Sequence, residues 1–185
     1  MSSPTIPRWC SARSGGDDVV QRQIAGQMQP LGGRKADAAR FAHLGLPVVA
    51  DSIEGFAGPL AGVLAGLDWA AEQGATSIVT AAADTPFFPT DLVNQLQNTA
   101  EGMAHPLVLA GTPDPKRGIS RHPTFGLWPV ALRDDLRRAL IDGVRKVVQW
   151  TDSHDGRLAM FPVGDNDPFF NVNTPDDLAQ AEAML

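Results

Sequence analysis

Residues 77–89 read SIVTAAADTPFFP, and this stretch decides the fold. Ser77 to Ala83 is a short apolar run that ends at Asp84, a pattern typical of a buried strand with an acid at its carboxyl end. Pro86 follows Thr85, and a proline keeps the residue before it out of the helical conformation. The chain is therefore expected to stay extended as it leaves the strand, with Asp84 at the edge of a sheet.

The sequence upstream predicts a strand, a helix and a second strand in succession. Leu46 to Ala50 is an apolar run that ends at Asp51, and Gly58-Pro59 then begins an amphipathic segment that stops at Gly74. A helical crossover of this kind joins parallel strands with a right-handed turn. We therefore expect Asp51 and Asp84 to lie at the same edge of the sheet.

The alternation continues to the C-terminus. It predicts helices over 91–100, 130–141, 144–151 and 175–184, strands over 107–110, 124–128 and 158–163, and a polar loop over 111–121. Alternating strands and helices indicate the α/β fold class, with a mostly parallel sheet and helices on both faces.

Composition limits the function. The chain has 185 residues, which suits one domain, and its single cysteine, Cys10, cannot form a disulfide within the chain. A formal net charge of -6 disfavours nonspecific binding to nucleic acid, which requires a basic surface. No apolar run reaches the roughly 18 residues that mark a transmembrane helix, and no signal-peptide pattern is present. We expect a cytoplasmic protein that binds neither nucleic acid nor a membrane.

Asp84 and Asp51 are candidate metal-binding residues, and Asp84, before Thr85-Pro86, has the better geometry. Each ends a predicted strand, and ligands of open parallel sheets bind outside the carboxyl ends of the strands. Mg²⁺ prefers oxygen ligands and usually takes one or two carboxylates together with substrate phosphates. A strand-end aspartate also commonly caps a turn, so spacing alone leaves both interpretations open.

Three further segments carry polar groups that suit phosphate or base recognition. Helix-start N–H groups at Gly58–Gly62 can hold an anion, although glycines there also suit close packing of a helix on a sheet. His122 could contact a phosphate or transfer a proton, whereas a lone loop histidine is more often structural. Asn171 and Asn173 can read the edge of a heterocycle, although Asn173 or Thr174 can equally cap the last helix.

The order of these segments is more specific than any one of them. Asp51 is followed by Gly58-Pro59-Leu60-Ala61-Gly62, Asp84-Thr85-Pro86-Phe87-Phe88-Pro89, His122-Pro123-Thr124 and Asn171-Val172-Asn173-Thr174-Pro175. With this combination, the chain from about Asp37 to its C-terminus resembles the molybdenum cofactor guanylyltransferase family.

The resemblance implies a Rossmann-like nucleotidyltransferase domain over residues 37–185. It also implies transfer of GMP from GTP to the terminal phosphate of molybdopterin, the pterin of the molybdenum cofactor, with release of pyrophosphate. By matching motifs, Asp84 would bind Mg²⁺ and act in catalysis, and Asp51 would contact the guanine nucleotide. Asn171 and Asn173 would lie on the pterin side of the cleft, with His122 as a further substrate-binding residue. Molybdoenzyme-assembly proteins are the protein partners it suggests.

Residues 1–36 depart from the family pattern, and we expect them to form an atypical, degraded or disordered segment. The family begins with a strand and a glycine-rich loop that cradles the triphosphate, followed by a lysine, whereas residues 8–18 here read RWCSARSGGDD. Gly15 and Gly16 are the remaining candidates for nucleotide binding. Two alternatives stay open: an impaired relative that binds a pterin or a partner, and a cytidylyltransferase of the same fold.

Overall fold

The computed structural model describes residues 49–53 and 58–185. In these ranges the strands are β1 (Ser77–Thr80), β2 (Val108–Asp114), β3 (Gly118–Pro129) and β4 (Arg157–Met160). The helices are α1 (Pro59–Glu72), α2 (Leu92–Thr99), α3 (Arg133–Ile141), α4 (Val147–Asp152) and α5 (Pro175–Ala183). A 3-10 turn, Val130–Leu132, leads into α3. No helix of the described ranges is both long enough and apolar enough to cross a membrane.

The four strands form one sheet in the order β1-β3-β2-β4. β1, β2 and β4 run in the same direction, while β3 lies antiparallel between β1 and β2. The α/β class is confirmed, but the expected parallel pairing needs a correction. In the described sheet only β2 and β4 pair in parallel, because a tight hairpin brings β3 directly back beside β2.

This hairpin replaces the polar loop expected over 111–121, and that prediction is wrong. Oδ1 of Asp114 accepts hydrogen bonds from the backbone N–H of Lys116 at 2.8 Å and of Arg117 at 2.9 Å. Gly118 then takes a φ of 78°, which favours glycine. The protruding end of the hairpin is largely exposed, so its strands carry polar residues and lack the apolar alternation that marks a half-buried strand.

Helices cover both faces of the sheet, as expected. On one face α1, α3 and α4 pack through Leu64, Leu136 and Trp150 against Leu109 and Trp128 of the strands. On the other face α2 and the segment after β4 pack against the sheet, with a core that includes Leu96, Ala110, Phe125, Phe161 and Phe169. These two apolar clusters fix the strand ends from which the polar loops leave.

The starts of α1 and α5 follow the predicted signals, whereas α3 and α4 each begin three residues after the predicted positions 130 and 144. α1 begins at Pro59, directly after Gly58, whose φ of 154° and ψ of 163° lie in a region that only glycine occupies readily. α5 begins at Pro175 behind a capping box, in which the Thr174 side chain accepts from the N–H of Asp177 and the Asp177 side chain accepts from Thr174. The strand expected over 46–50 lies mostly outside the described residues, and its last two positions, 49 and 50, are not in a strand.

Candidate active site

The loops that follow β1 and β4 leave the sheet at the same edge. β1 and β2 each run antiparallel to β3, and β4 runs parallel to β2, so β1 and β4 point in the same direction. A backbone hydrogen bond of 2.7 Å joins the two loops, with the N–H of Val172 donating to the carbonyl oxygen of Asp84. The carboxyl edge of the sheet therefore holds a junction between the Asp84 loop and the Asn171 loop, in which Thr85 and Asn171 are 86 residues apart in sequence.

Thr85 forms the centre of this junction. Its side chain is 1% exposed, and its hydroxyl donates a 2.6 Å hydrogen bond to Oδ1 of Asn171. The same hydroxyl lies 3.4 Å from Oδ1 of Asp84, but its single proton goes to the shorter contact. Asp84 and Asn171 are both exposed residues, so two of the predicted site residues are held together at the surface. The sequence-based interpretation missed the role of Thr85, because its partner Asn171 lies 86 positions away and no local pattern indicates the contact.

His122 lies beside this junction but is already engaged. Its Nε2 is 2.9 Å from Oγ1 of Thr112, and its ring stacks on Phe169 with the centroids 4.1 Å apart. Burial lowers the pKa of His122, and the negative charge of Asp167 partly opposes that shift. Since Phe169 is two residues before Asn171, the described contacts show His122 supporting the Asn171 loop. Its contact with a substrate stays a prediction.

Asn173 belongs to the start of α5. Its backbone N–H donates to Oδ2 of Asp177 at 3.0 Å, beside the 2.8 Å bond from Thr174 to the same oxygen. These hydrogen bonds lower the pKa of Asp177. The helix-capping interpretation of this segment is confirmed for Thr174, while the exposed side chain of Asn173 remains available to a ligand.

Asp51 is placed apart from the junction. The hydroxyl of the next residue, Ser52, donates to Oδ2 of Asp68, nine residues into α1 and roughly 14 Å along its axis from Pro59. Partial burial raises the pKa of Asp51. The segment that carries Asp51 therefore lies beside the C-terminal half of α1, whereas Asp84 lies at the carboxyl edge that the start of α1 faces. The contact of Asp51 with a nucleotide stays a prediction.

The first turn of α1 also faces the carboxyl edge, because α1 runs antiparallel to β1 across the short connection 73–76. Gly58, the residue before this turn, provides no side-chain cap. A Cβ on Gly66 would lie 2.9 Å from Cδ1 of Ile78, whereas a Cβ on Gly62 would meet nothing within 4 Å. Close packing therefore explains Gly66, one turn further on, but does not explain the glycine at position 62.

Gly15 and Gly16 lie outside the described residues. Within the described ranges no group of three or more His, Cys, Asp or Glu side chains is arranged to hold a metal ion. A single exposed carboxylate such as Asp84 still suits Mg²⁺, which fills the rest of its coordination with phosphate oxygens and water.

Comparisons with known proteins agree with this architecture. The family described as MobA-like NTP transferase domain matches residues 19–156. A molybdenum cofactor guanylyltransferase of Bradyrhizobium sp. is 46% identical over 189 residues, covering 93% of this chain and 87% of that protein. The protein of the same name from Mesorhizobium japonicum is 48% identical over 154 residues, covering 80% and 72%.

Solved structures share the fold. Molybdopterin-guanine dinucleotide biosynthesis protein A of Archaeoglobus fulgidus is 25% identical and superimposes with a TM-score of 0.57, covering 80% of this chain and 72% of that one. 2-C-methyl-D-erythritol 4-phosphate cytidylyltransferase of Thermus thermophilus is 18% identical with a TM-score of 0.58, covering 89% and 82%, and shows the fold alone. The chain therefore belongs to the molybdenum cofactor guanylyltransferase family of MobA-like NTP transferases.

Proposed function

We propose that this protein transfers GMP from GTP to the terminal phosphate of molybdopterin. The observation that carries the proposal is the junction at the carboxyl edge, where exposed Asp84 and Asn171 are held side by side by buried Thr85. Relatives that are 46% and 48% identical carry the name of this activity. An edge that presents one carboxylate and one amide suits two substrates that meet through their phosphates.

The reaction is a displacement at phosphorus. An oxygen of the molybdopterin phosphate forms a bond to the α-phosphorus of GTP, and the bond from that phosphorus to the bridging oxygen breaks. The bonding electron pair leaves with pyrophosphate. The protein is not consumed, so its contribution is to position the two phosphates and to stabilise the charge that develops between them.

Asp84 suits the role of metal ligand. Its carboxylate is exposed, and no ion pair within the described ranges engages it, while the backbone bond from Val172 fixes its main chain. A Mg²⁺ ion held there would neutralise negative charge on the reacting phosphates. Asp84 would hold that ion, and the loop around it would orient the nucleotide phosphates toward the start of α1.

Asn171 and Asn173 would contact the pterin substrate from the loop that follows β4. Both side chains are exposed at the same edge, two residues apart, and the loop is fixed at Phe169 and at the start of α5. Fixed polar groups at these positions favour one orientation of the acceptor phosphate. The cytoplasmic location and the association with molybdoenzyme-assembly proteins remain predictions.

Pyrophosphate release tests the proposal. With molybdopterin and Mg²⁺, we expect turnover of GTP that stops on chelation of the metal. CTP in place of GTP should react at least about tenfold more slowly, which corresponds to roughly 1.4 kcal/mol in the transition state. A preference for CTP would favour the cytidylyltransferase alternative, while pterin binding without any pyrophosphate release would favour the impaired relative.

A further inference from the structure

The buried hydroxyl of Thr85 has a consequence for the chemistry of Asn171. An asparagine amide carries an acceptor oxygen on one side and a donor NH₂ group on the other. Oδ1 of Asn171 accepts from Thr85 at 2.6 Å, so the oxygen faces into the protein. The NH₂ group is consequently the part of the amide that faces away from Thr85, on a residue that is exposed at the carboxyl edge.

We propose that Thr85 is a positioning residue that fixes Asn171 as a hydrogen-bond donor toward the pterin substrate. The inference rests on the proposed function for the identity of that substrate. A donor at this position can bind only a ligand atom that accepts a hydrogen bond, such as a phosphate oxygen of molybdopterin. Thr85 itself is 1% exposed and does not touch the substrate, so it acts through Asn171.

The hydroxyl also couples the two halves of the site. Thr85 follows Asp84 directly, and the 2.7 Å bond from Val172 to the Asp84 carbonyl lies next to the Thr85–Asn171 bond. Removing the hydroxyl leaves that backbone bond in place but allows the side-chain amide of Asn171 to rotate and exchange the positions of its oxygen and NH₂ group. The loop junction is then retained, while the donor is presented only part of the time.

Three variants separate positioning from packing. Thr85→Val has nearly the same shape without the hydroxyl, and Thr85→Ser restores the hydroxyl. Thr151→Val is the matched control, because Thr151 is also 1% exposed but bonds to the carbonyl of Val148 in α4, away from the junction. Thermal unfolding of each variant reports any loss of folding.

Steady-state kinetics are the first readout. We expect Thr85→Val to raise KM for molybdopterin and to lower kcat/KM for it about tenfold, as the loss of one oriented hydrogen bond predicts. The KM for GTP should change much less, and Thr85→Ser and Thr151→Val should stay within about threefold of the wild type. Equal losses in Thr85→Ser and Thr85→Val, or a loss confined to GTP, would overturn the proposal.

Exposed Asn171 provides a test that does not depend on the folding of a buried variant. Asn171→Asp keeps an oxygen for Thr85 but replaces the outward donor with an oxygen that repels phosphate. We expect it to bind molybdopterin more weakly than Asn171→Ala in equilibrium titrations. Binding by Asn171→Asp as tight as that of the wild type would contradict a donor role.

Side-chain amide NMR separates this inference from the proposed function. The Asn171 NH₂ signals are assigned by their loss in Asn171→Asp, in protein without any substrate. We expect Thr85→Val to shift them, and Thr85→Ser and Thr151→Val to leave them unchanged. Unshifted signals in Thr85→Val would overturn the positioning role, whereas shifted signals in a protein that lacks turnover would overturn only the proposed function.

Discussion

Asp84 and Asp68 lie on the same α1–β1 unit and are held in contrasting ways. Asp68, in the C-terminal half of α1, accepts from Arg137 at 2.5 Å and from Ser52 at 2.5 Å, and Arg133 lies 3.6 Å away. Asp84, after β1, is fixed through its backbone, and its carboxylate has no such ion pair among the described residues. A carboxylate that cations already surround supports the fold, while one left open is available to a ligand.

The surroundings of the two acids sharpen the contrast. A cavity of about 500 Å³ lies beside Asp68, lined also by Ser52, Trp69 and Glu72. Although this cavity is large enough for a ligand, Asp68 beside it is already paired with Arg133 and Arg137. At the carboxyl edge, by contrast, the buried hydroxyl of Thr85 donates to the amide oxygen of the exposed residue Asn171. The cavity and the proposed active site therefore lie in different parts of the molecule.

The largest expected effect is on catalysis at Asp84. Asp84→Asn should lower kcat/KM for GTP by roughly two to three orders of magnitude, because an amide is a much poorer ligand for Mg²⁺ than a carboxylate. Because the residue is exposed, the free energy of unfolding measured in urea should change by less than about 0.5 kcal/mol. Normal turnover in this variant would remove Asp84 from the site.

Asp68→Asn should show the reverse pattern. It leaves Arg137 without its carboxylate, while Arg133 keeps Asp134 at 3.0 Å, and we expect the free energy of unfolding to fall by about 1 kcal/mol. This figure is below that of a fully buried pair because the side chains of Arg133 and Arg137 are 33% and 34% exposed. Turnover at a temperature where the variant is folded should match that of the wild type. A loss of kcat in the folded variant would contradict the purely structural role of Asp68.

A smaller loss of stability is expected at the start of α5. Thr174→Ala removes the side-chain oxygen that accepts from the N–H of Asp177, and loss of such a cap costs about 1 kcal/mol. Because Asn173 is tied to the same capping structure, the KM for molybdopterin should rise slightly while the KM for GTP is unchanged. Urea unfolding and steady-state kinetics measure the two effects separately.

The smallest effect is a pH dependence at His122. Burial lowers the pKa of His122 in the folded chain, whereas in the unfolded chain it has the ordinary histidine pKa of about 6.5. Below that pH the unfolded chain therefore binds a proton at this residue more readily than the folded chain does. The contribution of neutral His122 is fully present above that value and is lost as the pH falls through the lowered pKa. Between about pH 7.5 and 5.5 the wild type should lose more stability than His122→Gln.

His105→Gln is the control for this measurement, because His105 is exposed in a loop between α2 and β2. An identical pH dependence in the wild type and in His122→Gln would show that the packing on Phe169 and Thr112 does not disfavour the charged ring.

Local signals in the sequence predicted much of the fold. The helix starts at Pro59 and Pro175 depend on neighbouring residues, and both predictions were confirmed. A strand beginning at Ser77 was also predicted correctly, because a short apolar run between a glycine and an acid needs no distant partner to be recognised. It ends at Thr80 and not at Ala83, and Asp84 lies in the turn that follows. The β2–β3 hairpin was missed, although Asp114-Pro115 with Gly118 is a turn signal, because its exposed end lacks apolar alternation.

The site was predicted only in part, since its contacts join distant residues. Asp84 and Asn171 were each selected from the sequence, but their connection through Thr85 spans 86 positions and no local pattern encodes it. The stacking of His122 on Phe169 is likewise a tertiary contact. Placing Asp51 beside Asp84 assumed a simple crossover, whereas the described segment 49–53 lies beside the C-terminal half of α1.

The location of the bound metal tests the central claim most directly. Mn²⁺ takes the same oxygen ligands as Mg²⁺ and broadens NMR signals of nearby nuclei, so it can be titrated in small amounts with GTP. The account predicts that backbone amide signals of Asp84, Thr85 and Val172 broaden first, while those of Asp68 and Arg137 stay sharp. Broadening centred on Asp68, with Asp84 unaffected, would contradict the assignment of the carboxyl edge as the active site.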